Sequence, residues 1–369
     1  MQDATLSRRS LLRALGALTA GAAIAGPLSD AFARPGGPRP SLATWMDSVM
    51  PAVTHRMIET NGIRLHVAEQ GEGPLVILCH GFPECWYSWR HQLGALAGAG
   101  FRAAAVDLRG YGLSDHPEGL DQYTILDDIA DVAGLVDALA TGPAVIAGHD
   151  VGATIAWQAA LLHPDRFRAV IALSAPFRPQ GFGTKVPPTT LMPRNKDAMF
   201  YQLYLQTPEA EAGLGRDLGR TFRSQFYSLS GDKPASAGGG FAAGMVPLEG
   251  NPLAEPSSLP AWVTQPDIDV YVAEFAKSGF HGPLAWYRNI DRSWELLAPF
   301  AGAAVSVPAL YIAGDRDFVV AVNSEFVAKQ SSMVPKLRPA IMLPGCGHWT
   351  EQERASEVSA AMIDFLHSL

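Results

Sequence analysis

Gly148-His149-Asp150-Val151-Gly152 has the pattern of a strained strand-to-helix turn that lifts its central side chain clear of the backbone. Glycine on either side suits such a turn, because a Cβ there would collide with neighbouring main chain. The serine usual at the centre is absent, and no Gly-x-Ser-x-Gly occurs in the chain. Asp150 stands in its place. A carboxylate so presented can attack an electrophilic carbon and pass through a covalent ester. The plain alternative is an aspartate capping a helix N-terminus, a role that Asp also favours.

The other groups such chemistry needs are present in a telling order. His80-Gly81-Phe82-Pro83 follows the apolar run Leu75–Cys79, where the Phe82 backbone N–H can join that of Val151 on one developing oxyanion. A simple Gly-Pro turn would look similar. Asp317 follows the apolar run 309–313 through Gly314-Asp315-Arg316, and His348 follows Ile341–Leu343 through Pro344-Gly345-Cys346-Gly347. Asp315 is the rival acid. A lone loop histidine is generally structural, but nucleophile, acid and histidine here each come just beyond a strand's carboxyl end, in that order.

The elements that position these residues alternate in type. Residues 63–68 alternate apolar and polar after the hairpin signal Asn61-Gly62. Short apolar runs follow at 75–79, 103–106, 144–147 and 169–173, with helix-like stretches at 86–99, 125–140 and 153–162 between them. Strands covered by helices on both faces read this way. The pattern resumes with 309–313, 323–330, 341–343 and 356–369, so the spacing predicts an α/β protein with a parallel sheet. From about 177 to 297 it is interrupted. That insertion has helix-like pieces at 201–205, 269–277 and 291–297, and a Gly/Pro/Ser-rich stretch, 231–260, expected to be a long surface loop. An insertion before the last two strands reads as a lid over the carboxyl ends, where α/β enzymes bind ligands.

Four motifs carry a resemblance: His80-Gly81-Phe82-Pro83-Glu84, Asp107-Leu108-Arg109-Gly110-Tyr111-Gly112, the Asp150 turn, and Gly347-His348-Trp349. Together they resemble the epoxide hydrolases of the α/β-hydrolase superfamily. Tyr201-Gln202-Leu203-Tyr204, Pro266-Asp267-Ile268-Asp269 and Trp286-Tyr287-Arg288-Asn289 resemble that family's cap, and the likeness runs from about His55 onward. It implies an α/β-hydrolase fold, a mostly parallel sheet flanked by helices with an inserted helical cap. The core would be 55–176 and 298–369, and the cap 177–297. By motif, Tyr201 and Tyr287 are the cap tyrosines that donate hydrogen bonds to the epoxide oxygen. The implied mechanism has Asp150 form an alkyl-enzyme ester, which water activated by His348 and Asp317 hydrolyses to a diol. The Phe82 and Val151 N–H groups would hold the oxyanion. Substrate epoxide and water are the expected partners, with neither metal nor organic cofactor required. Trp86, Phe177, Phe318 and Trp349 are candidates for an aromatic substrate pocket.

Haloalkane dehalogenases share the nucleophile, but typically carry Trp after it and often Asn after the His-Gly pair; here those positions hold Val151 and Phe82. Epoxide hydrolases also commonly carry Trp there, so Val151 departs from both patterns. A ligand-binding relative without activity is the third reading, opposed by the full set of Asp150, Asp317, His348 and both tyrosines.

Composition bounds the rest. The 369 residues are 48% hydrophobic and 17% charged, enough for a sizeable core, and the formal net charge of −8 argues against nucleic acid or an anionic membrane surface. Ser7-Arg8-Arg9-Ser10-Leu11-Leu12, a mild apolar stretch to Gly26, and Ala31-Phe32-Ala33 read as a twin-arginine signal peptide over 1–33, followed by a linker over 34–54. The stretch is too short for a stable membrane anchor, and the expected location is periplasmic or secreted. Three cysteines, Cys79, Cys85 and Cys346, leave at least one unpaired within a monomer, and their spacing leaves open whether the last two meet.

Overall fold

The computed structural model describes residues 50, 52–179, 185–234, 244–248 and 253–369. The expected signal peptide and most of the linker lie outside the described residues. The strands in chain order are β1 (Thr54–Thr60), β2 (Ile63–Gln70), β3 (Leu75–Cys79), β4 (Arg102–Val106), β5 (Ala144–His149), β6 (Phe167–Leu173), β7 (Ala198–Phe200), β8 (Met245–Pro247), β9 (Ala309–Gly314) and β10 (Ile341–Leu343). Eight of them form one sheet in the order β1-β2-β4-β3-β5-β6-β9-β10, while β7 and β8 pair separately. β2 runs antiparallel to both neighbours, and every later pairing in the large sheet is parallel. The β1–β2 hairpin turns at Asn61 and Gly62, both with positive φ (47° and 76°), the geometry a two-residue hairpin demands. β3, β5 and β9 are buried along their whole length, which is why their sequences show no alternation.

The helices are α1 (Arg90–Gly98), α2 (Ile125–Leu139), α3 (Val151–Leu162), α4 (Tyr201–Tyr204), α5 (Pro208–Gly215), α6 (Leu218–Ser228), α7 (Gln265–Ser278), α8 (His281–Arg288), α9 (Ile290–Leu296), α10 (Phe318–Val322), α11 (Ser324–Met333), α12 (Thr350–Glu353) and α13 (Ala355–His367). The stretch expected as one helix over 86–99 opens as a 3-10 turn, Trp86–Trp89, before α1. α2 and α7 each start in a capping box, Thr124 with Asp127 and Thr264 with Asp267, which satisfies two of the N–H groups a helix start leaves open. α3 packs on β5 and β6, and its Ala153, Ala156, Ala159 and Ala160 are fully buried; small side chains let helix and sheet approach closely.

Between β6 and β9 the chain holds more helix than expected. α5, α6 and α8 are additional to the expected pieces; α5 contains glycines and α8 begins His281-Gly282-Pro283, residues that look like breakers. Proline is tolerated in a first turn, where its missing N–H would have no intrahelical partner. The expected surface loop over 231–260 also needs correction. Met245–Pro247 pairs antiparallel with Ala198–Phe200, and the Gly231 N–H donates to Glu353 Oε2 at 2.9 Å. Three-residue strands are too short to show a period.

This segment is tied to the sheet-bearing part by polar contacts. The Tyr87 hydroxyl donates to Asp267 Oδ1 (2.8 Å), Ser88 Oγ meets the Tyr271 hydroxyl (2.9 Å), and Asn289 Nδ2 donates to the Leu120 carbonyl (2.7 Å). Parallel pairing brings the residues after β3, β5, β6, β9 and β10 to one end of the sheet. That end carries the site.

Candidate active site

Asp150 sits between β5 and α3 with φ 51° and ψ −114°, a left-handed conformation that is strained for a side chain with a Cβ. Its flanking glycines are there for space. A Cβ on Gly148 would lie 2.1 Å from the Gly152 carbonyl oxygen, and one on Gly152 would lie 2.3 Å from that of Cys79. The aspartate makes no side-chain cap bond, so the capping alternative is set aside. Instead Asp150 Oδ1 accepts the Phe82 N–H at 3.1 Å. Val151 begins α3, where backbone N–H groups have no acceptor within the helix.

On its other side Asp150 Oδ2 stands 3.9 Å from His348 Nε2, beyond hydrogen-bond reach. His348 Nδ1 is 3.1 Å from Asp317 Oδ1, and the pair is buried. Asp317 Oδ1 also accepts the Val319 N–H at 2.8 Å. Asp315, the rival acid, is exposed and accepts the Gly345 N–H at 2.7 Å, a loop contact away from His348. Ser174 was not foreseen. Its hydroxyl donates to Asp317 Oδ2 at 2.5 Å and lies 3.2 Å from His348 Nδ1. A single serine after a strand gives no sequence signal; its positive φ of 68° is visible only in the structure. Burial alone would push the His348 pKa down, but the Asp317 carboxylate outweighs it and holds the imidazole above its ordinary value of 6.5.

Asp150, Tyr201 and Tyr287 face one cavity of about 140 Å³, together with Val151, Thr154, Gln158, Met192, Trp286 and Leu297. The two tyrosines come from α4 and α8, and both are buried. Burial, then the negative charge of Asp150, raises both phenols above their usual 10, so they are proton donors at neutral pH. The arrangement is a carboxylate with one oxygen held by an N–H, a histidine–aspartate pair behind it, and two phenols across the cavity. It suits displacement at a carbon bearing an oxygen leaving group, followed by ester hydrolysis.

Residues 74–351 match a family described as the α/β hydrolase fold. Epoxide hydrolase A of Mycobacterium tuberculosis is 44% identical over 330 residues, covering 87% of this chain and 99% of that protein. The chain belongs to the epoxide hydrolases of this fold. Solved epoxide hydrolases agree in shape: one from an endophytic Streptomyces superposes with a TM-score of 0.81 at 42% identity, covering 86% of this chain and 96% of its own. Epoxide Hydrolase A of Mycobacterium thermoresistibile gives 0.77 at 43%, covering 85% and 98%.

Within this epoxide hydrolase the expected aromatic pocket is largely elsewhere. Trp86 is fully buried edge-on to His55 (4.9 Å between centroids), on the side of the β1–β2 hairpin. Phe177 packs on Trp157 (5.7 Å), and Trp349 is wedged against His348 and Phe226 (4.9 Å each) with its indole N–H on the Phe226 carbonyl. None of the three lines the cavity. Large apolar rings beside a site are as readily drawn into the core, which removes more of their surface from water. Phe318 does not line the cavity either; half-buried, it packs against the rings of both Tyr201 and His348, 5.4 Å between centroids. Trp286, next to Tyr287 in its motif, supplies the aromatic wall instead. Cys79, Cys85 and Cys346 are all buried free thiols, so Cys85 and Cys346 do not pair.

Proposed function

We propose that this epoxide hydrolase makes a vicinal diol in two steps, both centred on Asp150. In the first, Asp150 Oδ2 attacks a ring carbon, the carbon–oxygen bond breaks, and the alkoxide takes a proton from Tyr201 or Tyr287. An ester and a phenolate remain. In the second, His348 removes a proton from water, and the hydroxide adds to the ester carbonyl while the Phe82 and Val151 N–H groups hold the oxyanion. Asp317 orients the imidazolium and balances its charge. Collapse expels the diol's second oxygen, which is Oδ2, with the proton from His348. The Asp150 acid then gives up its remaining proton and the tyrosine is restored. Supporting this assignment is the division of the Asp150 carboxylate: one oxygen on the Phe82 N–H, the other towards His348 without bonding to it.

The test is His348→Gln incubated with excess styrene oxide. Mass spectrometry of the intact protein should show one added epoxide mass, located on the peptide containing Asp150. A variant that stays unmodified while wild type turns over would rule out the covalent route.

The division into a core of 55–176 and 298–369 and a cap of 177–297 is likewise our reading, supported by both tyrosines lying on helices between β6 and β9. Export by the twin-arginine route to the periplasm or beyond rests on Arg8-Arg9, the apolar stretch and Ala31-Phe32-Ala33. N-terminal sequencing of exported protein should begin at Arg34; recovery only in the cytoplasm with Met1 in place would refute it.

A further inference from the structure

Behind the nucleophile's turn lies a second group of titratable side chains that the two steps leave unused. Glu84, His149 and Glu351 are each fully buried, and their polar ends lie within 4.8 Å of one another. His149 Nε2 is 2.8 Å from the carbonyl oxygen of His348, an atom that only accepts, so this nitrogen carries a proton. His149 Nδ1 is 2.7 Å from Glu84 Oε2 and 3.7 Å from Glu351 Oε2. Glu84 has the donors of an ionised carboxylate: the Gly81 N–H on Oε2 (2.8 Å), Gln352 Nε2 on Oε1 (2.9 Å), and His149. Glu351 is the poorly supplied member, with Gln352 Nε2 at 3.5 Å and a carboxyl–carboxyl contact to Glu84. With both nitrogens of His149 engaged, the group is an internal ion pair rather than a cation site.

We propose that Glu84 keeps His149 as an imidazolium, and that this buried charge, 4.9 Å ring to ring from His348, positions the catalytic histidine and opposes a second positive charge on it. The proposal rests on the reading of His348 as the base. His149 then has two functions: its Nε2–H holds the His348 main chain, and its charge bears on the His348 side chain. The groups facing His348 are Asp317 and Asp150, which favour its charged form, the neutral Ser174 hydroxyl, and His149, which disfavours it. Those facing His149 are Glu84, Glu351, Asp150 and His80; His80 accepts the Leu108 N–H on Nε2 and is therefore neutral. Titration directions agree. Burial works against charge at both His149 and Glu84, yet the acidic pair Glu351 and Glu84 carries the imidazole well above its ordinary range, and the imidazole carries the Glu84 carboxyl well below. Burial and the Glu84 charge push Glu351 well up, so it stays an un-ionised acid.

The experiment has two parts. In the wild-type protein labelled with ¹⁵N-histidine, NMR should show both His149 nitrogens protonated from about pH 6 to pH 9, far beyond a free imidazole. A neutral His149 ring at pH 7 would overturn the proposal, without any variant having to fold. In single turnovers, Glu84→Gln should move the acid limb of ester decay about one pH unit upward, because the uncharged neighbour no longer holds the His149 proton. Glu351→Gln, which replaces one neutral group by another, should leave that limb in place. A limb that stays put in Glu84→Gln, or moves equally in Glu351→Gln, counts against the charge assignment. Failure of the underlying mechanism looks different: no ester would form on Asp150 in His348→Gln, whatever His149 carries.

Discussion

One hydroxyl, that of Ser174, touches both Asp317 and His348, at 2.5 Å and 3.2 Å. It completes the buried acid, whose Oδ1 is already shared between His348 Nδ1 and the Val319 N–H. Ser174→Ala would leave Asp317 Oδ2 without this donor, a loss of about 1–3 kcal/mol. A fall in Tm by several degrees is expected. Ester decay should slow about tenfold as His348 loses its fixed orientation, while ester formation, which uses neither residue, keeps its rate. Equal slowing of both steps would assign Ser174 to the scaffold alone.

The pH dependence follows from the direction of the His348 shift. Burial opposes a charged ring, but Asp317 prevails and the folded value lies above 6.5. The base form is therefore lost as pH falls through that raised value. Ester decay should drop about tenfold per unit below it, and alkylation of Asp150 should continue, so ester accumulates in acid. Rapid-quench measurement of both steps from pH 5 to pH 9 decides; decay that stays flat down to pH 5 excludes His348 as the base.

In the proposed first step, Tyr201→Phe and Tyr287→Phe each remove one proton donor to the leaving oxygen. Each should slow ester formation by about a hundredfold, and the double variant should form no measurable ester. The later decay of preformed ester should be unaffected. Full alkylation rates in both single variants would show that the phenols only pack.

Val151 borders the main cavity on one side and a void of about 10 Å³ beside Leu108 and Asp128 on the other. An indole cannot enter the smaller space, so Val151→Trp must fill part of the larger. KM for styrene oxide is expected to rise at least about tenfold, with propylene oxide little changed. Equal effects on both epoxides would mean that the turn itself had been distorted.

Much of this was legible because a parallel sheet makes position in sequence stand for position in space. Asp150, Asp317 and His348 could be assigned from the apolar runs before them, since each run ends at the same edge of the sheet. Side-chain direction was not legible. Trp86, Phe177 and Trp349 flank motif residues, yet their rings turn into the core, and nothing in a loop's sequence says which way a ring faces. Ser174 escaped for a related reason: its use depends on a backbone angle at one residue. Glu84 and His149 stood inside quoted motifs, but their contact crosses from the loop after β3 to the end of β5, and Glu351 joins them from α12.

The two tyrosines sit on α4 and α8, whereas Asp150, Phe82, Ser174, Asp317 and His348 all stand at the ends of sheet strands or in the loops just beyond them. Both steps use Asp150, but protonation of the epoxide's leaving oxygen is assigned to one stretch of chain, and hydrolysis of the ester to another. Inherited change in α4 and α8 can redirect which ring carbon is attacked, and from which face, while the hydrolytic apparatus stays constant. One sheet could thus serve a lineage of enzymes that differ in the stereochemistry of their diols.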